Sequence, residues 1–198
     1  MRLRYSKPSP FARKVRVAAS LLGLALELEP ADTLNPEDTL RRQNPLGKIP
    51  ILLADDGEQW FDSRVILAYL DDVAGGGRIL PADPKARLHA QRLEALADGL
   101  MDAGILRLYE GRFRSEEKHE PKWLDHQRGK MERTLEALEA HPPVLGPALT
   151  VGDIALACAL GFLDFRFDGA WRRTSPNLTA WLDGFIARVP DFSESAPG

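Results

Sequence analysis

The feature that most constrains this 198-residue chain is a change of pattern at Gly75-Gly76-Gly77. Before it, short alternating stretches interleave with amphipathic ones; after it, every patterned segment is helical. Arg2-Leu3-Arg4-Tyr5, Leu26-Glu27-Leu28-Glu29, Ile49–Leu53 and Gln59–Phe61 read as strands, and Asp56-Gly57 marks a hairpin between the last two. Ser9-Pro10 opens a helix that Gly23 ends, Thr39–Gln43 suggests a short helix, and another starts at Ser63 with Val65, Ile66, Ala68, Tyr69 and Leu70 on its stripe. Strands and helices in that order imply a sheet covered by helices.

Beyond the glycines, Asp83-Pro84 caps a long helix whose buried side carries Leu93, Leu96, Ala97, Leu100, Met101 and Ala103. A second helix spans about 121–140 and stops at His141-Pro142-Pro143. Thr150 and Asp153 form a capping box, with Leu149 and Ile154 as its hydrophobic staple. The helix that follows, through Leu163, is apolar on nearly every face and so belongs at the centre of the core. Asn177–Val189 reads as a last amphipathic helix. The expected organisation is an α/β domain over 1–75, a linker over 76–83 and an all-helical domain over 84–198.

Charge and composition narrow the function classes. With a net charge of −3, the chain has no general attraction for nucleic acid or an anionic membrane. No apolar run is long enough to span a bilayer. The first sixteen residues hold six cations and no acid, but Pro8 and Pro10 interrupt them and no apolar segment follows, which argues against a targeting peptide. The single cysteine, Cys158, can form no internal disulfide, and its apolar neighbours mark it as inert filler. His89, His119, His126 and His141 lack metal-ligand spacing, so no metal is expected. A reduced cytoplasmic setting fits best.

Chemistry concentrates at three places. Lys7-Pro8-Ser9-Pro10-Phe11 places a hydroxyl where a helix begins; Asn44-Pro45-Leu46-Gly47-Lys48-Ile49-Pro50 leads a proline into a strand; Asp62-Ser63 starts another helix. Strand-like main chain beside Pro50 and free amides at Asp62-Ser63 could together hold a small anionic peptide. Ser9 could steady a thiolate: lowering a thiol pKa from about 8.5 to about 6.5 takes roughly 2.7 kcal/mol. One charge-assisted hydrogen bond gives about 1.5–3 kcal/mol and the helix terminus about 0.3–2 more. Taken singly, each feature is an ordinary cap or a strand-end residue.

Together, in this order, they resemble the glutathione S-transferase family. Ser9-Pro10-Phe11 with Arg13 is similar to the motif of its bacterial serine-type members. The longer set Lys14-Val15, Phe61-Asp62-Ser63 and Glu94 through Gly104 is similar to the YibF-type glutathione transferase-like proteins. The resemblance implies a thioredoxin-like N-terminal domain, a helical C-terminal domain and a cis peptide at Pro50. It implies Ser9 as the group that steadies the glutathione sulfur, with Tyr5 a rival. Phe11, Lys48, Ile49, Pro50, Asp62 and Ser63 would bind glutathione, a co-substrate rather than a prosthetic group. Asp62 stands where the family more often has glutamate. The electrophile would be small and hydrophobic, in a pocket drawn from Leu106, Tyr109, Phe113, Phe162, Phe165 and Trp171. Asp98 and Asp102, four apart on one helix, are a candidate pair of acids, more in keeping with cleft lining or a subunit contact. Transfer to that electrophile, as in detoxification, in a homodimer is the function implied; a non-catalytic glutathione binder and a glutathione-dependent isomerase or dehalogenase are the alternatives.

Overall fold

Leu3 anchors the first half of the molecule. It lies in β1 (Arg2–Tyr5) and has no exposed surface in the computed structural model, which describes residues 1–197. Position 198, the end of the expected helical domain, lies outside the described residues. β1 pairs in parallel with β2 (Glu27–Pro30) and antiparallel with β3 (Ile51–Leu53), and β4 (Gln59–Trp60) closes the edge in the order β2-β1-β3-β4. Parallel neighbours need a crossover. Here it is α1 (Pro10–Leu22), which ends because Gly23 turns left-handed at φ 73° and returns its N–H to the Ala19 and Ser20 carbonyls.

The short α2 (Leu40–Gln43) is held to the sheet by one buried cation. Arg4 donates to Asp38 at 2.6 Å, to Gln43 at 2.8 Å and to Thr39 at 2.9 Å. α3 (Ser63–Val73) then runs into the glycine-rich turn. Buried Asp71 orders that turn by accepting from the amides of Gly77, Arg78 and Ile79. The basic N-terminus thus has structural work: Arg2 pairs with Glu29, Arg4 with Asp38, and Lys14 with Glu94 and Asp98.

The helical half comprises α4 (Pro84–Phe113), α5 (Pro121–Ala140), α6 (Val151–Arg166), α7 (Pro176–Arg188) and α8 (Asp191–Glu194). Every residue from Val151 to Leu160 is buried, as the all-round apolar pattern requires. The capping box is present: the Thr150 amide donates to Asp153 at 2.8 Å, and the Asp153 amide to Thr150 Oγ1 at 3.4 Å. Close packing sets Gly152, where an added Cβ would stand 2.7 Å from the Ala90 carbonyl oxygen on α4. Truncating a buried leucine here, Leu156 for instance, would cost about 2–5 kcal/mol.

Some boundaries differ from expectation. β3 starts at Ile51 rather than Ile49, because Pro50 has no amide to give the ladder; the Ile49-Pro50 peptide is cis. Phe61 lies outside β4, β2 is shifted one residue along, and α6 runs three residues past Leu163. Two single turns of 3₁₀ helix, Glu116–Lys118 and Ala170–Arg173, and the short α8 lack a periodic signature and were not anticipated.

Candidate functional site

Ser9 is the N-cap of α1. Its Oγ accepts the Ala12 amide at 3.2 Å and its carbonyl accepts the Arg13 amide at 3.0 Å. The serine proton finds no acceptor among the described residues. Pro10 has no N–H, and the Phe11 amide, in the first turn at the positive end of α1, has no partner among the described residues. Tyr5, at the end of β1, is half-buried under the Arg16 guanidinium, 5.7 Å from its ring centroid.

The second element is the bend before β3. Buried Asn44 shapes it, donating from Nδ2 to the Lys48 carbonyl at 3.0 Å and accepting the Leu46 amide at 3.0 Å. The Lys48 side chain is exposed, Ile49 is half-buried and Pro50 is buried. Because the ladder starts at Ile51, paired with Arg4, the main-chain groups of Ile49 remain outside it. They are oriented for strand-like bonds yet have no main-chain partner among the described residues.

The third element is the start of α3. Exposed Asp62 caps it, accepting the Arg64 amide at 3.0 Å, and Ser63 is buried at its first position. Behind Ser63 lies a cluster of charge that local sequence patterns did not disclose. Lys14 is completely buried on α1, and its Nζ donates to Asp98 at 2.7 Å, to Glu94 at 2.9 Å and to Ser63 Oγ at 3.4 Å. Arg64 takes the other Asp98 oxygen at 2.6 Å. Two cations and two carboxylates from α1, α3 and α4 therefore meet between the sheet-bearing half and the helices. The available signal was a lysine four residues before Ala18 on the apolar face of α1.

This cluster decides the acid pair. Asp98 has both oxygens committed to cations, whereas Asp102 is exposed, so the two are not equivalent acids. Although the Asp102 side chain reaches solvent, partial desolvation pushes its carboxyl up, helped by Asp98 and opposed by Lys48 and Arg64. Burial likewise pushes Glu94 up, with Lys14 opposing.

A narrow cleft opens beside Ser9, walled by Pro8, Arg13, Cys158, Phe162, Phe165 and Pro197 among others. Two of the six aromatic and apolar candidates, Phe162 and Phe165, therefore lie at Ser9. Tyr109 and Phe113 pack edge to face on an exposed part of α4, 5.2 Å between ring centroids, and are not in this wall. Trp171 requires correction as a wall residue: it is core, buried to 5% exposure, with its indole N–H donating to Asp164 at 2.9 Å. Leu106 is exposed on α4. Cys158 has no exposed surface, and burial raises its thiol pKa to about 11. No group of three or more His, Cys, Asp or Glu that could hold a metal ion occurs among the described residues, and no helix there is long and apolar enough to cross a membrane.

Comparison with known proteins follows the same division. Residues 8–73 match the model of the glutathione S-transferase N-terminal domain, and residues 121–184 that of the C-terminal domain. The GST-like protein YibF of Escherichia coli K12 is 33% identical over 201 residues, spanning 100% of this chain and 98% of that protein. Among solved structures, a glutathione S-transferase from Methylobacillus flagellatus with GSH bound is 35% identical with a TM-score of 0.92, covering 100% of this chain and 99% of that one. A glutathione transferase family member from Pseudomonas fluorescens Pf-5 with bound glutathione is 41% identical with a TM-score of 0.91, covering 100% and 98%.

Proposed function

The chain belongs to the glutathione S-transferase family, and from that premise we propose that it activates the glutathione thiol for attack on a small hydrophobic electrophile. Ser9 is the catalytic group. Its hydroxyl proton points to the bound sulfur, and the Phe11 amide and the end of α1 add positive potential there. The thiol proton leaves to water; the thiolate bonds to the electrophilic carbon, and the leaving group departs with its electron pair. Ile49 holds the cysteinyl main chain beside cis Pro50, Lys48 faces the glycyl carboxylate, and Asp62 and Ser63 take the γ-glutamyl amine and carboxylate. Phe162 and Phe165 supply the apolar wall beside the sulfur.

The observation that carries this reading is Ser9 itself: a capping hydroxyl whose proton is free, at a helix start, beside two phenylalanines. The division at 1–75, 76–83 and 84–198, a cytoplasmic setting, a role in detoxification and a homodimer belong to the same proposal. Exposed Val65 on α3 and Leu88 and Leu96 on α4 support a subunit contact.

The test compares wild type with Ser9→Ala on an aromatic electrophile, alongside calorimetric titration of glutathione. Turnover that collapses while glutathione still binds supports catalysis by Ser9. Glutathione binding without Ser9-dependent turnover across a broad panel of electrophiles replaces the transferase with a binding protein. Product formed without consumption of glutathione marks an isomerase.

A further inference from the structure

We infer that Lys14 is a positioning residue for glutathione: from inside the protein it sets the Ser63 hydroxyl as a donor to the γ-glutamyl carboxylate. The inference rests on the glutathione reading above and adds to it a residue that touches no ligand.

Lys14 has no exposed surface, and a buried ammonium must be matched by acceptors. Its three N–H groups have three acceptors: Glu94, Asp98 and Ser63 Oγ. Lys14 and Arg64 are already matched by the carboxylates of Glu94 and Asp98, so the contact with Ser63 is not needed for charge balance. Its consequence falls on Ser63. An ammonium can only donate, so Ser63 Oγ must accept from the protein side. Its own proton then turns away from Lys14, and no protein acceptor takes it among the described residues.

Only 2% of Ser63 is exposed, so what it offers a ligand is fixed by the orientation of that proton. With Lys14 Nζ 3.4 Å behind the hydroxyl, the head of α3 presents an O–H donor and the Ser63 amide backed by a cation. That arrangement favours a carboxylate and disfavours an amine. Arg64, by contrast, is half-exposed and bound to the far oxygen of Asp98. Lys14 is thus the cation that stands behind the hydroxyl.

The test uses the full chain and two ligands. Lys14→Met together with Glu94→Gln removes one positive and one negative charge and leaves Asp98 paired with Arg64. Calorimetry should show glutathione affinity falling about tenfold, the loss of one charge-assisted hydrogen bond. Cysteinylglycine, which lacks the γ-glutamyl group, should bind the variant and wild type within about twofold of each other. In steady-state assays the loss should appear in KM for glutathione, with kcat at saturation changed by less than about twofold. Ser63→Ala is the second arm, independent of how the buried pair tolerates replacement. It must produce the same loss for glutathione and spare cysteinylglycine.

Equal loss of both ligands would make Lys14 a purely structural strut and overturn the inference, as would undiminished glutathione affinity in either variant. A wild-type protein that binds neither ligand defeats the glutathione reading and this inference with it. A wild type that binds glutathione beside an unaltered variant defeats the inference alone.

Discussion

Arg13 lays its guanidinium 3.8 Å from the centre of the Phe192 ring while donating to the Phe192 carbonyl at 2.7 Å. The same guanidinium donates from Nε to Ser195 Oγ at 3.0 Å and fills the space over Gly161, where a Cβ would stand 2.6 Å from it. Four residues after Ser9, α1 is therefore stitched to α8 and to the core helix α6 at once. Phe192 is 2% exposed, so Phe192→Ala should destabilise the protein by about 3–5 kcal/mol, read by urea unfolding. Phe192→Leu keeps most of the buried area and loses the cation–π contact, a deficit of about 1–2 kcal/mol. A loss below about 1 kcal/mol for the alanine variant would mean that this segment frays in solution.

Ser9 has two roles that separate by substitution. Ser9→Ala removes the cap and the donor together, with about 1 kcal/mol of stability lost and turnover down about ten- to a hundredfold. Ser9→Asp keeps a capping acceptor of similar rank but places a negative charge against the sulfur. It should unfold near the wild-type midpoint yet show a raised pKa for bound glutathione, followed by ultraviolet absorbance of the thiolate. A Ser9→Asp protein with wild-type activity would transfer the role to Tyr5.

What could be read from the sequence was whatever a few neighbouring residues decide. Ser9-Pro10, Gly23, Asp83-Pro84, the Thr150–Asp153 box and the stop at His141-Pro142-Pro143 each settle an element end through bonds spanning three or four residues, and the structure places them as read. The cis bond before Pro50 came from family resemblance, since nothing local distinguishes it. Lys14 and Glu94 through Gly104 stood in the set that carries the resemblance, but that Lys14, Glu94 and Asp98 form one buried cluster was out of reach for another reason. The two acids lie 80 and 84 residues from Lys14, and no pattern within α1 says which acids arrive there. Trp171 failed in the opposite sense: it was grouped with the aromatics of an electrophile pocket, but Asp164 satisfies its N–H, so it can be buried.

Cys158 borders the cleft beside Ser9, yet it should not compete with glutathione for electrophiles. Its thiol is fully buried with a pKa of about 11, so at neutral pH almost none of it is the reactive thiolate. Thiol labelling of the native protein should be slower than that of the urea-unfolded chain by at least about a thousandfold, and should follow global unfolding when denaturant is raised. Rapid labelling under native conditions would show a local opening of α6.

Glu94 gives a pH signature with a definite sign. Burial holds its folded-state pKa above the ordinary 4.5, against the pull of Lys14. Between those two values the folded protein binds more protons than the unfolded chain. Stability contributed at this site is therefore full at the acid end and declines as pH rises through the folded pKa. Glu94→Gln removes the titration while keeping shape and a hydrogen-bond acceptor for Lys14. Thermal midpoints of the two proteins, measured from about pH 4 to about pH 7, should show the variant gaining on wild type as pH rises. Groups shifted the other way, such as Asp38, whose bonds from the Asp32 and Leu40 amides and from Arg4 outweigh its burial, act alike in both proteins and cancel in the difference. A flat difference would mean that Lys14 fully compensates the burial of Glu94. A variant that loses ground with rising pH would mean the ion pair outweighs it, placing the Glu94 pKa below 4.5 rather than above.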